Sequence, residues 1–228
     1  MRSVLYYFFQ CLFRFFLKLT ANVVLIGQDK VTPGPCLLVS NHISHFDPCF
    51  ILACIRPRLD FMAMEELFIN PYASWFFTYL DVFPVSRKKT DTRAIRTALK
   101  RLEMGRIVCV FPEGGLRSGK ESVLEGAELK PGAAILAEMS GVPVRPFIFL
   151  GTDRYYSYRL GERIPLFFIV GDELKLNPAL KGKQAREELN ERIAQSFREL
   201  YAEVKQSPGF TDAVVPRTAQ KRWEEARR

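Results

Sequence analysis

"CLLVSNHISHFD", residues 36–47, joins a short apolar run to a polar loop that holds both histidines of the chain. The fold turns on the first half. "CLLVS" (36–40) is continuous rather than alternating, which is the signature of a buried strand. The same character recurs in "FMAM" (61–64), "IVCVF" (107–111), "RPFIFL" (145–150) and "LFFIV" (166–170), and "NVVLIG" (22–27) alternates weakly before the turn cluster "TPGP" (32–35). Five or six buried strands are expected.

Helical patterns lie between them. Residues 91–104 begin at Thr90 or Asp91 as a cap, place Ile95, Leu99 and Leu102 on one face and stop at Gly105. Residues 131–140 open on Pro131, an acceptable first helical position, and stop at Gly141. Residues 184–205 place Leu189, Ile193, Phe197, Leu200 and Val204 on one face before Pro208 and Gly209 end the pattern. Strands alternating with helices predict a single α/β domain with a largely parallel central sheet flanked by helices.

Composition agrees. The chain has 228 residues, 48% hydrophobic and 25% charged, which excludes wholesale disorder. Its net charge of +8 is spread over Arg56/Arg58, Arg87/Lys88/Lys89, Lys221/Arg222 and Arg227/Arg228. That spread suits an anionic partner without choosing among nucleic acid, anionic lipid and a phosphorylated substrate. Five cysteines, an odd number with no Cys-x-x-Cys pair, read as reduced thiols in a cytosolic environment; Cys36 and Cys109 fall in apolar runs and read as core.

The beginning of the chain is different. In "SVLYYFFQCLFRFFLK" (3–18), Ser3, Gln10, Arg14 and Lys18 fall on one side of a helix, with aromatic and aliphatic residues over the rest. A spanning helix needs about 20 predominantly apolar residues. Here the longest unbroken apolar run is residues 4–9. "LTANVV" offers no small-residue cleavage site either. The segment is expected to lie in the plane of a membrane interface. The organisation is therefore an amphipathic membrane-interface helix over 1–20, an α/β domain over 21–210 and a basic surface tail over 211–228.

The histidine loop follows a buried strand directly, and in open α/β sheets ligands bind outside the carboxyl ends of strands. His42, His45 and Asp47 offer three metal ligands at most, at a spacing unlike a helical zinc protease and with no further histidine, so no metal is expected. Ser44 lacks the Gly-x-Ser-x-Gly elbow of a nucleophile. General-base chemistry asks only for an imidazole and a carboxylate that fixes its tautomer. Five residues rotate about 140° along a regular helix, so His42 and Asp47 meet only across a turn, with His42 in the loop and Asp47 at the mouth of a helix entered by Pro48. The competing reading makes Asp47 a plain N-cap and His45 a packed or solvated side chain.

Two later stretches carry further chemistry. "VFPEGGLRSGK" (110–120) again follows a buried strand; it sets Glu113 beside Gly114 and Gly115, which let backbone amides approach an anion, and adds the planar fork of Arg117. "VFPVSRKK" (82–89) places Arg87 after an apolar segment.

In this order the motifs resemble the 1-acylglycerol-3-phosphate (lysophosphatidic acid) acyltransferase family. The resemblance rests on Asn41-His42 with Asp47, on Val85-Ser86-Arg87, on Phe111-Pro112-Glu113-Gly114 with Arg117-Ser118, and on "GVPVRPFIFLG" (141–151); it covers roughly residues 22–151. It implies transfer of a fatty acyl group from an acyl thioester, acyl-CoA or acyl-ACP as co-substrate, to the free sn-2 hydroxyl of lysophosphatidic acid. The product would be phosphatidic acid, and no cofactor or metal is implied. His42 would be the general base and Asp47 its support. Arg87 and Arg117 would grip the acceptor phosphate, Glu113 would orient the glycerol hydroxyls, Asn41 and Gly114 would complete the substrate site, and amides of the active loop would stabilise an oxyanion. The implied location is peripheral or monotopic on the cytoplasmic face of a membrane, with the lipid surface and the lysophospholipid acceptor as partners and no nucleic acid. Another lysolipid acceptor is the alternative. A non-catalytic binder of anionic lipid or nucleic acid has only the charge in its favour, because no RNA-recognition or helix-turn-helix signature is present. Two departures stand out. Gly115-Leu116 replaces the family's threonine and adds one residue before Arg117, and only one helix fits before residue 22 where relatives of known fold carry two.

Overall fold

A computed structural model describes residues 2–86, 91–218, 221, 224 and 227. In chain order the elements are α1 (Arg2–Thr20), β1 (Ala21–Ile26), β2 (Cys36–Ser40), α2 (Asp47–Cys54), β3 (Leu59–Met64), α3 (Pro71–Tyr79), β4 (Val82–Val85), α4 (Thr92–Glu103), β5 (Ile107–Val110), α5 (Gly132–Ser140), β6 (Val144–Leu150), β7 (Ile164–Val170) and α6 (Gly182–Gln206). The strands form a seven-stranded sheet in the order β1-β7-β6-β2-β5-β3-β4. Strands β6, β2, β5, β3 and β4 are mutually parallel; β7 runs antiparallel to β6, and β1 parallel to β7. The expected largely parallel α/β sheet is what the chain forms.

Helices cover both faces, which is why the strands are apolar without alternation. Leu37 and Val39 point to the face packed by α4, α5 and α6, with Ala98, Ala133, Phe197 and Ile193. Leu38 points to the other, with Phe50, Ile51 and Leu52 of α2 and with Tyr6 and Leu17 of α1. The central strand β2 is paired on both sides, its residues 36–39 with 107–110 of β5 and 37–40 with 144–147 of β6. Because β2, β5 and β6 are parallel neighbours, residues 41–42, 111–113 and 151–152 leave the sheet at one edge. The site is built there.

Two elements went unread in the sequence. β4 contains Pro84 and lies at the edge of the sheet, where a missing ladder donor is tolerated. α3 is aromatic nearly all round, so no period marks it, and its start is fixed locally: Asn70 Oδ1 accepts from the amides of Tyr72 (2.9 Å) and Ala73 (3.2 Å). The tail also begins later than expected. Val214 is buried, Arg154 donates to the Val215 carbonyl at 2.7 Å, and the Arg217 amide donates to Asp153 at 2.9 Å, so the packed body runs to residue 217.

α1 has its polarity reversed. Tyr6, Gln10, Leu17 and Thr20 face the protein, whereas Val4 (71% exposed), Phe8 (58%), Phe15 (61%) and Leu19 (57%) face outward. Gln10 donates to the carbonyls of Leu52 (3.0 Å) and Ile55 (2.8 Å), and Arg14 to that of Ala53 (3.0 Å). Two of the four residues of the expected polar face thus satisfy the orphan carbonyls at the end of α2. Among the described residues no helix is long and apolar enough to cross a membrane.

Candidate active site

The chain leaves β2 at Ser40 and is locked at once. Asn41 is 1% exposed; its amide group donates to the Phe149 carbonyl at 3.0 Å and accepts from the Phe149 amide at 2.9 Å. Both ends of the side chain are spent on β6, so Asn41 extends the sheet instead of reaching substrate as the sequence reading expected. That anchor sets where His42 begins.

His42 Nδ1 lies 2.8 Å from Asp47 Oδ2. The same oxygen accepts the amides of Ile43 (2.8 Å) and Ser44 (2.9 Å), so the loop curls around the carboxylate. Asp47 is the first residue of α2 and fully buried, followed by Pro48. His42 and Asp47 therefore meet across a turn at the helix entrance, and Asp47 is more than a cap. The ring of His42 stacks on Phe111 at 4.1 Å between centroids and 18° between planes. A carboxylate only accepts, so Nδ1 carries the proton and the lone pair sits on Nε2, which has no hydrogen-bond partner among the described residues. An imidazole in this state can take a proton. His45 turns away instead: its Nδ1 meets the Tyr156 hydroxyl at 2.5 Å.

Glu113 supports the loop from β5. One carboxylate oxygen accepts the His42 amide at 2.7 Å; the other accepts the Ser122 hydroxyl and the Val123 amide, each at 2.9 Å. Burial pushes the Glu113 carboxyl above its ordinary range, opposed by the amides of Val123 and His42 and by Ser122. Three acceptor positions on a residue only 5% exposed go to the protein, not to glycerol hydroxyls. Gly114 follows at φ +68°, where a Cβ would lie 2.7 Å from Cε and 2.8 Å from Cδ of Lys130. Arg117 donates its amide to the His42 carbonyl at 2.8 Å, and its exposed guanidinium pairs with Glu121 at 3.2 Å. The structure thus brings Asn41, His42, Asp47, Glu113, Gly114 and Arg117 to one sheet edge. Arg87 lies outside the described residues.

Sequence reasoning missed two things. The amides of residues 42–45 are all taken, by Glu113, Asp47 and the Tyr156 hydroxyl, so this stretch has no free donor for an oxyanion. Thr152, at the exit of β6, donates its hydroxyl to Asp47 Oδ1 and is itself buried. The only signal for it was its place just after a buried strand.

Residues 22–150 match the family model described as Acyltransferase, and the chain belongs to that family. A 1-acyl-sn-glycerol-3-phosphate acyltransferase of Streptococcus pneumoniae is 27% identical over 173 residues, covering 75% of this chain and 62% of that one. The protein of the same designation from Bacillus subtilis is 26% identical over 188 residues, covering 81% and 90%. The chain therefore spans a little under two thirds of the first relative and nearly all of the second. Its fold is that of the crystal structure of the 1-acyl-sn-glycerophosphate (LPA) acyltransferase PlsC from Thermotoga maritima, with a TM-score of 0.63 at 23% identity over 87% of this chain and 81% of that one.

Proposed function

We propose that this chain moves a fatty acyl group from an acyl thioester, carried by coenzyme A or acyl carrier protein, to the sn-2 hydroxyl of lysophosphatidic acid. The observation that carries the reading is the His42 Nδ1–Asp47 Oδ2 contact of 2.8 Å, with Nε2 of the stacked ring left as a base. His42 takes the acceptor hydroxyl proton at Nε2 as the oxygen attacks the thioester carbonyl; the thiolate leaves and recovers the proton. Asp47 holds the tautomer and stabilises the imidazolium as it forms, a base effect of order 10²–10⁴ in rate. Glu113 fixes the backbone of His42. Arg117 and Arg87 contribute positive charge for the acceptor phosphate.

The outward apolar face of α1 gives the enzyme a lipid surface to sit on, since acceptor and product are both lipids. Phe16 stacks on Phe50 at 6.2 Å and Phe50 on Phe46 at 6.0 Å, which makes an aromatic path from α1 to the histidine loop. Attachment is peripheral, on the cytoplasmic leaflet where acyl thioesters are found. Thiol release measured with both donors, against lysophosphatidate and a phosphate-free monoacylglycerol, tests the substrate class. Turnover restricted to lysophosphatidate is expected. Equal turnover of the neutral acceptor would overturn the assignment.

A further inference from the structure

The Asp47 carboxylate is gripped from two elements at once. Oδ2 belongs to the histidine loop, where His42 Nδ1, the Ile43 amide and the Ser44 amide converge on it at 2.8, 2.8 and 2.9 Å. Oδ1 belongs to a different strand: the hydroxyl of Thr152 donates to it. Both residues are fully buried, so water does not replace either contact. The chain reaches this point through a backbone arrangement that only glycine takes easily. Gly151 ends β6 at φ +90°, and a Cβ there would overlap the Pro165 carbonyl oxygen and lie 3.1 Å from Leu166 Cδ2. The sharp exit aims the next side chain under the entrance of α2.

The geometry points to Thr152 as a positioning residue for the transfer, acting through Asp47 on His42. Without its hydroxyl, Oδ1 is a buried carboxylate oxygen with no donor, and the carboxylate can turn about its terminal torsion, which is broad for an sp²-terminated side chain. Each turn moves the acceptor away from the Nδ1 proton of His42. Catalytic hydrogen bonds tolerate little such misplacement, because a shift of about 1 Å costs on the order of 10²-fold in rate. The residue is fully buried, so its loss should appear in kcat and not in KM. This inference rests on the His42–Asp47 reading proposed above.

Thr152→Val keeps shape and β-branching while removing the hydroxyl. The expected result is a fall in kcat of about ten- to a hundredfold, with KM for donor and acceptor within about twofold. Thr152→Ser, which keeps the hydroxyl and drops only the methyl, should restore wild-type kcat. In an Asp47→Asn background the valine change should add less than about twofold, because a residue acting through a partner loses its effect with the partner. The chain has only two histidines, so ¹⁵N-imidazole spectra are readily assigned. The Nδ1–H resonance of His42 should move in Thr152→Val and return in Thr152→Ser. Wild-type kcat in folded Thr152→Val, or a tenfold loss in Thr152→Ser, would overturn the inference. So would a full additional loss in the Asp47→Asn background. Should valine not be accommodated, Thr152→Ala carries the same expectation, with Thr152→Ser decisive in either case. Absence of thiol release by the wild-type protein would instead remove the proposed function itself.

Discussion

Glu113→Gln separates a carboxylate that holds the protein together from one that holds the acceptor. The native side chain takes three donors on two oxygens: the His42 amide on one, the Ser122 hydroxyl and Val123 amide on the other. An amide offers one oxygen and one NH₂. Whichever way it is placed, its NH₂ faces a buried backbone N–H, either that of His42 or that of Val123, and only the Ser122 hydroxyl can rotate to adapt. One backbone donor is left without an acceptor, at a cost of about 1–3 kcal/mol. Glutamine also removes the burial of a charge, the force that pushes the Glu113 carboxyl upward, and this offsets part of the loss. A net destabilisation of about 1–2 kcal/mol is expected, which at an m-value of about 2 kcal/mol per molar urea moves the midpoint down by roughly 0.5–1 M. Thiol release should fall in kcat in the placement that frees the His42 amide, and stay near wild type in the placement that frees the Val123 amide, with KM for the acceptor unchanged in both. An unchanged urea midpoint with a raised KM for the acceptor alone would refute this reasoning and return Glu113 to the glycerol hydroxyls.

Asp47→Asn keeps an acceptor for the loop amides but removes the charge facing the imidazolium. Two unit charges about 4 Å apart at an effective dielectric constant near 20 interact by about 4 kcal/mol, so kcat should drop on the order of 10³-fold with the fold intact, as followed by thiol release and circular dichroism. Activity within tenfold of wild type would remove Asp47 from the mechanism. Phe8→Ser with Phe15→Ser, both on the outer face of α1, should abolish co-sedimentation with anionic phospholipid vesicles and leave the urea midpoint unchanged; retained binding would place the lipid contact elsewhere. Asp60 lies buried in β3, 2.7 Å from Arg106 and 3.4 Å from Arg101, in contacts that miss hydrogen-bond geometry. Burial outweighs those cations and pushes its carboxyl up to about 7 from an ordinary 3.8. Between those values the folded state keeps a proton that the unfolded state has released, so this stabilisation falls as pH rises through the window and levels off above it. Urea unfolding at pH 5 and pH 8 should show wild type losing stability relative to Asp60→Asn; the opposite trend would mean the guanidinium groups win.

The sheet was legible because its strands are covered on both faces, and continuous apolar runs such as "CLLVS" and "LFFIV" mark that burial directly. β4 was not, since Pro84 reads as a break until the strand is known to lie at an edge. The turn that joins His42 to Asp47 at the entrance of α2 was legible, but the partners of Asn41 and Glu113 were not. The resemblance implied substrate contacts for Asn41, Arg87, Glu113, Gly114 and Arg117. The fold spends Asn41 on β6 and Glu113 on the loop, because Asn41 leaves β2 beside β6 and Glu113 leaves β5 beside β2, each with its polar end already within reach of backbone groups of the neighbouring segment. Those partners are 71 to 108 positions away, and only the strand order brings them together. α1 shows the same limit. Gln10 and Arg14 mark a polar stripe correctly, yet periodicity alone does not say that the stripe faces the end of α2 while the aromatic side faces out.

The central claim is that the free nitrogen of His42 removes the acceptor proton. Thiol release from an acyl thioester with lysophosphatidate, compared between wild type and His42→Ala at matched circular dichroism, tests it most directly. Turnover by the wild type and none above background in the variant is the predicted result. A folded His42→Ala enzyme that still releases thiol at a comparable rate would contradict it.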